Sequence, residues 1–291
     1  MNIGLIVPAR ENKRHKPIAE IFQTMGAAAL MSLPVETSRI RIMQDFSLVL
    51  CTVSHDASKI HSDAVRKRLR VKLAKILERE RAWPVLEHPK VKGIFNSEEY
   101  YFEEVVREAA VNRLPELLRL IRGIGDLSMR EITVTGHAAH LELAITMLIT
   151  KVKSLNLLLP EGTPAPVEAE MAFAETGIPV HITTDYEVLN RTPLWIRFPD
   201  DHECFDLLPA KYNGVIIDLG SMQIIDTRSK KIFNIVFEFS DKIGRKIGHS
   251  ILEGWRSGFL EAAIIAICSN SWNISVSEAS TRLGMRLSYK A

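Results

Sequence analysis

Apolar and polar positions follow two rhythms along this chain. In the second half, short continuous apolar runs alternate with longer stretches of helical spacing. The runs are "ITVTG" (132–136), "SLNLLL" (154–159), "IPVHITT" (178–184), "PLWIRF" (193–198) and "GVIIDLG" (214–220). Helices are predicted between the first three, starting near His137 and near Val167. Continuous apolar runs mark strands buried on both faces, and a βαβαβ rhythm implies a parallel sheet with right-handed crossovers. "QIIDTRSKKIFNIVFEF" (223–239) predicts one or two further strands at an edge.

The first half is less regular. "NIGLIVP" (2–8) and "FSLVLCTVS" (46–54) read as strands, "ARENKRHKP" (9–17) as a polar loop and "IAEIFQTMGAAALMSL" (18–33) as a helix. From Asp56 to Ala82 a long helix is predicted, capped by Asp56 or Ser58. Val65, Leu69, Leu73 and Ile76 form its apolar stripe, and Arg66, Lys67, Arg68, Arg70, Lys72, Lys75 and Arg79 are expected in water. Two prolines in "WPVLEHPKVKG" (83–93) read as a break. A second helix follows, with Asn96 or Ser97 as cap and Glu98 and Glu99 at its positive end, and Pro115 ends or kinks it. "GDLSMR" (125–130) is a linker. Near the C-terminus, "GHSILEGWRSGFLEAAIIAICS" (248–269) predicts one long helix, apolar on most faces and so buried on more than one side. A short helix capped by Ser275 or Ser277 closes the chain.

The fold class expected is therefore α/β. An N-terminal α/β domain spans 1–125, a Rossmann-like doubly wound parallel-sheet domain spans 130–240, and C-terminal helices over 241–291 pack back across both.

Composition narrows the class. Hydrophobic residues make up 46% and charged residues 25% of the 291, the balance of a soluble globular protein. A net charge of +2 gives no strong pull toward a polyanion or a membrane, so nucleic acid is not an expected partner. "AAIIAIC" (262–268) is too short to span a bilayer, and "MNIGLIVPAR" has no basic region before its apolar stretch. Cys51, Cys204 and Cys268 are odd in number and form no CxxC pair, which favours reduced thiols and a cytoplasmic setting.

Candidate chemistry centres on the turn at Gly136. A dinucleotide turn uses G-x-G-x-x-G because each absent Cβ lets backbone approach pyrophosphate or sheet. Here only Gly136 is present, and Ala138, Ala139, Leu141 and Glu142 fill the positions that follow. The start of the helix still offers free N–H groups, and His137 and His140 add donors. A plain strand-to-helix turn is the competing reading. Glu161, 25 residues after Gly136, stands where an acid that binds the ribose is expected. The cofactor-binding candidates are thus Gly136, His137, Ala138, Ala139, His140 and Glu161. His137, His140, Glu142, His181, His202 and Cys204 match no metal signature in their spacing, so no metal is expected. The basic helix carries no aromatic interleaving of the kind that reads nucleic acid. Asp218, at the end of "GVIID", is either at a ligand crevice or simply starts a loop. No G-x-S-x-G, P-loop or C-x-x-C motif occurs, and no residue is singled out as catalytic.

In order and spacing, the segments from Glu131 on resemble the acyl-[acyl carrier protein] reductase and glutamyl-tRNA reductase group, which share a shikimate-dehydrogenase-like NADP domain. "ITVTGHAAHLELA" stands at that group's phosphate turn, "PLWIRF" and "GVIIDLGSMQIID" at its next strands, and "GWRSGFLEAAIIAI" with "NISVSEASTRLGM" at its terminal helix and closing segment. The resemblance implies a reductase that uses NAD(P) on an acyl or carbonyl substrate, with a small molecule or an acyl carrier as ligand. Two departures weaken it. Two of the three turn glycines are missing. The acyl-accepting cysteine is replaced by Gly258, beside Ser257, although Glu261 matches a family glutamate. A glycine cannot replace a thiolate nucleophile, and Cys268 lies ten residues farther along. The sequence therefore predicts either an oxidoreductase with weak NAD(P) binding or a non-catalytic relative that binds a ligand or a protein. It leaves the oligomeric state open.

Overall fold

The computed structural model describes residues 1–9, 35–53, 63–95, 102–121, 125–198, 212–220, 230–232 and 234–290. The predicted helix at 18–33, the caps Asp56, Ser58, Asn96 and Ser97, the acids Glu98 and Glu99, and His202 and Cys204 lie outside them. The chain forms two units. Met1–Phe102 joins Phe239–Met285 in one, and Glu103–Glu238 joins Arg286–Ala291 in the other.

The first unit holds a four-stranded sheet. Its strands are β1 (Asn2–Pro8), β2 (Val35–Arg41), β3 (Ser47–Val53) and β4 (Ala82–Glu87), in the order β2-β3-β1-β4. β1 runs parallel to β3 and β4, and β2 is antiparallel to β3. β1 and β3 are the apolar runs read from sequence. β2 and β4 were not expected, because each breaks the pattern of a buried strand. β2, "VETSRIR", is mostly exposed, as an edge strand can be. β4 carries Pro84, which sheets tolerate at an edge.

α1 (Asp63–Arg79) lays its apolar stripe on this sheet. Val65, Leu69, Leu73 and Leu77 are buried among Ile6, Val49 and Cys51, while Ile76 is only partly buried. The stripe thus runs on to Leu77, a full turn beyond Leu73, where Ile76 had been expected to close it. Lys67, Arg68, Lys72, Lys75 and Arg79 are exposed as expected. Arg70 differs in that its Nε also donates to Ile94 O.

The expected long C-terminal helix is broken. α6 (Asp241–Ile247), α7 (His249–Leu252), α8 (Phe259–Trp272) and α9 (Val276–Arg282) replace it. The break falls at Gly254 and Gly258, whose φ values of +95° and +74° interrupt helical geometry. At Gly254 a Cβ would lie 2.9 Å from the His88 ring, and Nε2 of His88 bonds Glu253 O at 2.7 Å. α8 is buried on every face from Ala262 to Ser269, which matches its apolar composition. Ser275 caps α9 by accepting from Glu278 N at 3.1 Å.

In the second unit, α2 (Phe102–Asn112) gives way at Arg113 to α3 (Leu114–Leu120), with Pro115 in the first turn of α3 where its missing N–H costs nothing. Six strands follow: β5 (Glu131–Thr135), β6 (Ser154–Leu158), β7 (Val180–Thr183), β8 (Leu194–Arg197), β9 (Val215–Asp218) and β10 (Lys230–Ile232). Their order is β10-β9-β8-β5-β6-β7 and every pairing is parallel. Numbered within the sheet this is 3-2-1-4-5-6, the Rossmann order. α4 (Ala138–Leu148) links β5 to β6, and α5 (Glu168–Thr176) links β6 to β7. β11 (Asn234–Glu238) pairs antiparallel with β12 (Arg286–Lys290) as a separate ribbon.

Register gives the two faces of this sheet opposite characters. Ile132, Val134, Leu155, Leu157, Leu194, Ile196 and Ile217 share one face. Thr133, Thr135, Ser154, Asn156, Trp195, Arg197 and Asp218 share the other, all buried. The second face is held by polar pairs. Thr133 Oγ1 bonds Thr192 Oγ1 at 2.9 Å, and Trp195 Nε1 donates to Thr135 Oγ1 at 3.1 Å. Val188 and Leu189, from the β7–β8 connection, pack over Trp195 and Ile216 on that face. Right-handed crossovers then send α4 and α5 over the apolar face.

Candidate functional site

The order reverses between β5 and β8, so their C-terminal ends flank the place where open α/β sheets bind ligands. Gly136 follows β5 directly. Its φ is +150°, and an added Cβ would lie 2.6 Å from Phe198 Cβ. The glycine is therefore required by the close approach of the residue after β8, independently of any ligand. His137 caps α4, with Nδ1 accepting from Ala139 N at 3.5 Å. An accepting Nδ1 assigns the neutral ring's proton to Nε2, which leaves a donor for an incoming anion.

Ala138 and Ala139 are exposed at the start of α4. His140 is half-buried and stacks on Phe198, with centroids 5.6 Å apart and planes at 14°; the rings of His137 and His140 lie 6.5 Å apart, edge to face. Counted from Gly136, the second and third glycine positions are Ala138 and Leu141. Leu141 is 1% exposed and fills the space a third glycine would leave. Glu142 is half-buried on α4. With His137 as cap, the first turn of α4 holds no acid, and Glu142 falls in the second. Its carboxylate thus opposes a phosphate less than a first-turn acid would, because the dipole interaction fades beyond the terminal turn.

Glu161 is exposed in the turn that follows β6, next to β5 in the sheet. Gly136, His137, Ala138, Ala139 and His140 form one continuous turn, and Glu161 belongs to the neighbouring strand's loop at the same edge. Sequence reasoning missed Phe198 and Arg197. Arg197 Nη1 pairs with Asp218 Oδ1 at 3.1 Å, with side-chain exposures of only 11% and 3%. Asp218 Oδ1 also accepts from Gly220 N at 3.0 Å. Asp218 therefore anchors the β8 and β9 ends to each other. An arginine inside the apolar run "PLWIRF" was the available signal, since a buried charge demands a partner.

His181 is exposed on edge strand β7. Among the described residues no three His, Cys, Asp or Glu side chains cluster as metal ligands. Among them, too, no single helix is long and apolar enough to cross a membrane.

Neither described cysteine is poised as a nucleophile. Burial, with a smaller push from Glu80, raises the Cys51 thiol to about 11; burial, then Asp45, raises Cys268 to about 12. Gly258 is the N-cap of α8 in left-handed backbone and offers no side chain there. Iodoacetamide at pH 8 is expected to leave Cys51 and Cys268 unmodified in the native protein and to alkylate both in urea, read by peptide mass spectrometry. Native labelling of either would contradict the burial. Because folding raises both values, their contribution to stability is full below pH 9 and is lost as pH climbs through 11 to 12.

The chain matches no family model and no curated protein sequence. Among solved structures it is similar to L-tryptophan dehydrogenase from Nostoc punctiforme, at 10% identity over 97% of this chain and 86% of that one, with a TM-score of 0.28. It is also similar to the A chain of dipicolinate synthase from Bacillus subtilis, at 10% identity over 93% and 97%, with a TM-score of 0.29. A D-lactate dehydrogenase from Treponema pallidum aligns at 9% identity over 76% and 71%, with a TM-score of 0.26. Likeness at this level adds nothing to the strand order itself.

Proposed function

We propose that the second unit binds NAD(P) weakly at the β5–α4 turn, in an oxidoreductase-like protein acting on an acyl or carbonyl substrate. One observation carries the cofactor half of this reading. The 3-2-1-4-5-6 order sets Gly136 and the solvent-facing start of α4 at the switch point. The residues fit a dinucleotide in outline. The amide of Ala138 and the Nε2 of His137 would meet a pyrophosphate, the amide of Ala139 being taken up by the His137 cap, and Glu161 would meet a ribose. The fit is poorer than with three glycines, because Cβ atoms at 138 and 139 narrow the approach and Leu141 holds the helix off the sheet. When bound, the cofactor supplies the hydride chemistry, and these residues seat and orient it. The substrate class rests on the family resemblance alone.

Titration with NADH and NADPH, followed by thermal stabilisation and by the fluorescence of buried Trp195, tests the reading. A dissociation constant between roughly 10 μM and a few mM is expected. Micromolar or tighter binding would show an intact cofactor site. A second reading, a non-catalytic relative that binds another ligand or a protein, is favoured by the His140–Phe198 stack beside the turn. It gains if neither nucleotide binds at millimolar concentration.

A further inference from the structure

We infer that this site takes NAD(H) in preference to NADP(H), with Glu161 as the residue that discriminates. The inference rests on the cofactor reading above and departs from the NADP that the family resemblance implies.

The two cofactors differ by one phosphate on the ribose 2′ oxygen. A Rossmann site meets that oxygen beyond the second strand, with a carboxylate for the hydroxyl or a cation for the phosphate. Here the second strand is β6, whose pairing extends to Leu159 through its N–H to Thr183 O at 2.9 Å. Pro160 and Glu161 follow at once, and Glu161 is exposed.

The segments around the end of β6 supply no lysine or arginine for a phosphate. Between Lys153 and Arg191 the chain has six acidic residues and neither lysine nor arginine. The nearest bases in sequence, Lys153 and Arg191, precede β6 and β8, so they lie at the opposite edge of the sheet. A five-residue strand spans about 16 Å, well beyond the ~8 Å screening length at physiological salt. Asp185, just after β7, adds a second carboxylate at the same edge as Glu161. A 2′-phosphate carrying close to two charges would meet these carboxylates, whereas a 2′-hydroxyl can donate to Glu161.

The test uses the full chain and four probes: NADH, NADPH, ADP-ribose and 2′-phospho-ADP-ribose, titrated into the wild type, Glu161→Gln and Glu161→Arg. The exposed position of Glu161 leaves the fold intact in both variants, as circular dichroism would verify. NADH is expected to bind about tenfold or more tightly than NADPH, the scale of one charged hydrogen bond gained or opposed. Glu161→Gln should weaken NADH several-fold and spare NADPH, and Glu161→Arg should reverse the order. Equal affinities, tighter NADPH, or variants indistinguishable from wild type would overturn the preference and leave the site standing. Failure of all four probes to bind at about 10 mM would overturn the cofactor reading itself, and the preference with it.

Discussion

Asp218→Ala is expected to lower the unfolding free energy of the second unit by about 3–5 kcal/mol. Asp218 and Arg197 stand at matched positions on β9 and β8 and bond at 3.1 Å, with the carboxylate almost wholly out of water. Truncating the acid leaves the guanidinium buried beside Gly220, whose N–H also loses its acceptor. The cost combines the lost buried ion pair with the lost acceptor of the Gly220 amide. Asp218→Asn should therefore be milder, since an amide oxygen still accepts from Arg197 and from Gly220 N. Replacing both residues, as Arg197→Met with Asp218→Leu, should recover most of the loss, because a buried pair contributes little over apolar groups of similar volume. Urea unfolding followed by Trp195, on the same strand as Arg197, measures all three. A double replacement as damaging as Asp218→Ala would mean that the pair has a role beyond mutual neutralisation.

Strand content in the second unit was legible because β5, β6, β8 and β9 are apolar at nearly every position that meets a helix. Their finer pattern passed unread. "ITVT", "SLN" and "WIR" alternate, and the alternate residues Thr133, Asn156 and Arg197 all fall on one face. A run that is buried on both sides hides its alternation when polar residues satisfy one another, as Thr133 and Thr192 do across 59 positions. In the first unit, β2 and β4 were missed for a related reason. Edge strands need bury only one face or neither, so "VETSRIR" and "AWPVLE" give no periodic signal. The break after α7 was also illegible locally. Gly254 is a glycine because His88, far away in sequence, occupies the space beside it. The candidate turn was readable as a segment, and its meaning was not. Nothing in "TGHAAH" announces that Phe198 approaches Gly136.

Gly136→Val is expected to destabilise the protein by about 2–5 kcal/mol with no nucleotide present. Two costs add. A branched side chain at φ +150° is strained, and its Cβ would sit 2.6 Å from Phe198 Cβ and 3.4 Å from Phe198 Cα. Neither atom is the end of a flexible side chain, and Phe198 is itself 1% exposed, so relief requires β5 and β8 to part. Phe198→Ala should not rescue the variant, because the Cβ that clashes remains; Phe198→Gly should rescue part of the loss. Thermal or urea unfolding of the single and double variants measures this. A stable Gly136→Val protein would refute the packing role and return the glycine to the phosphate. The same geometry makes Gly136 a poor probe of cofactor binding, since a weakened turn would lose ligand for trivial reasons. Ala138→Gly is the sound probe. Ala138 is exposed and stands at the second glycine position. Its substitution costs the helix at most about 1 kcal/mol and removes the Cβ nearest an incoming pyrophosphate. A rise in NADH affinity of several-fold, with stability slightly lowered, would locate the dinucleotide at this turn. Unchanged affinity would place any bound nucleotide elsewhere.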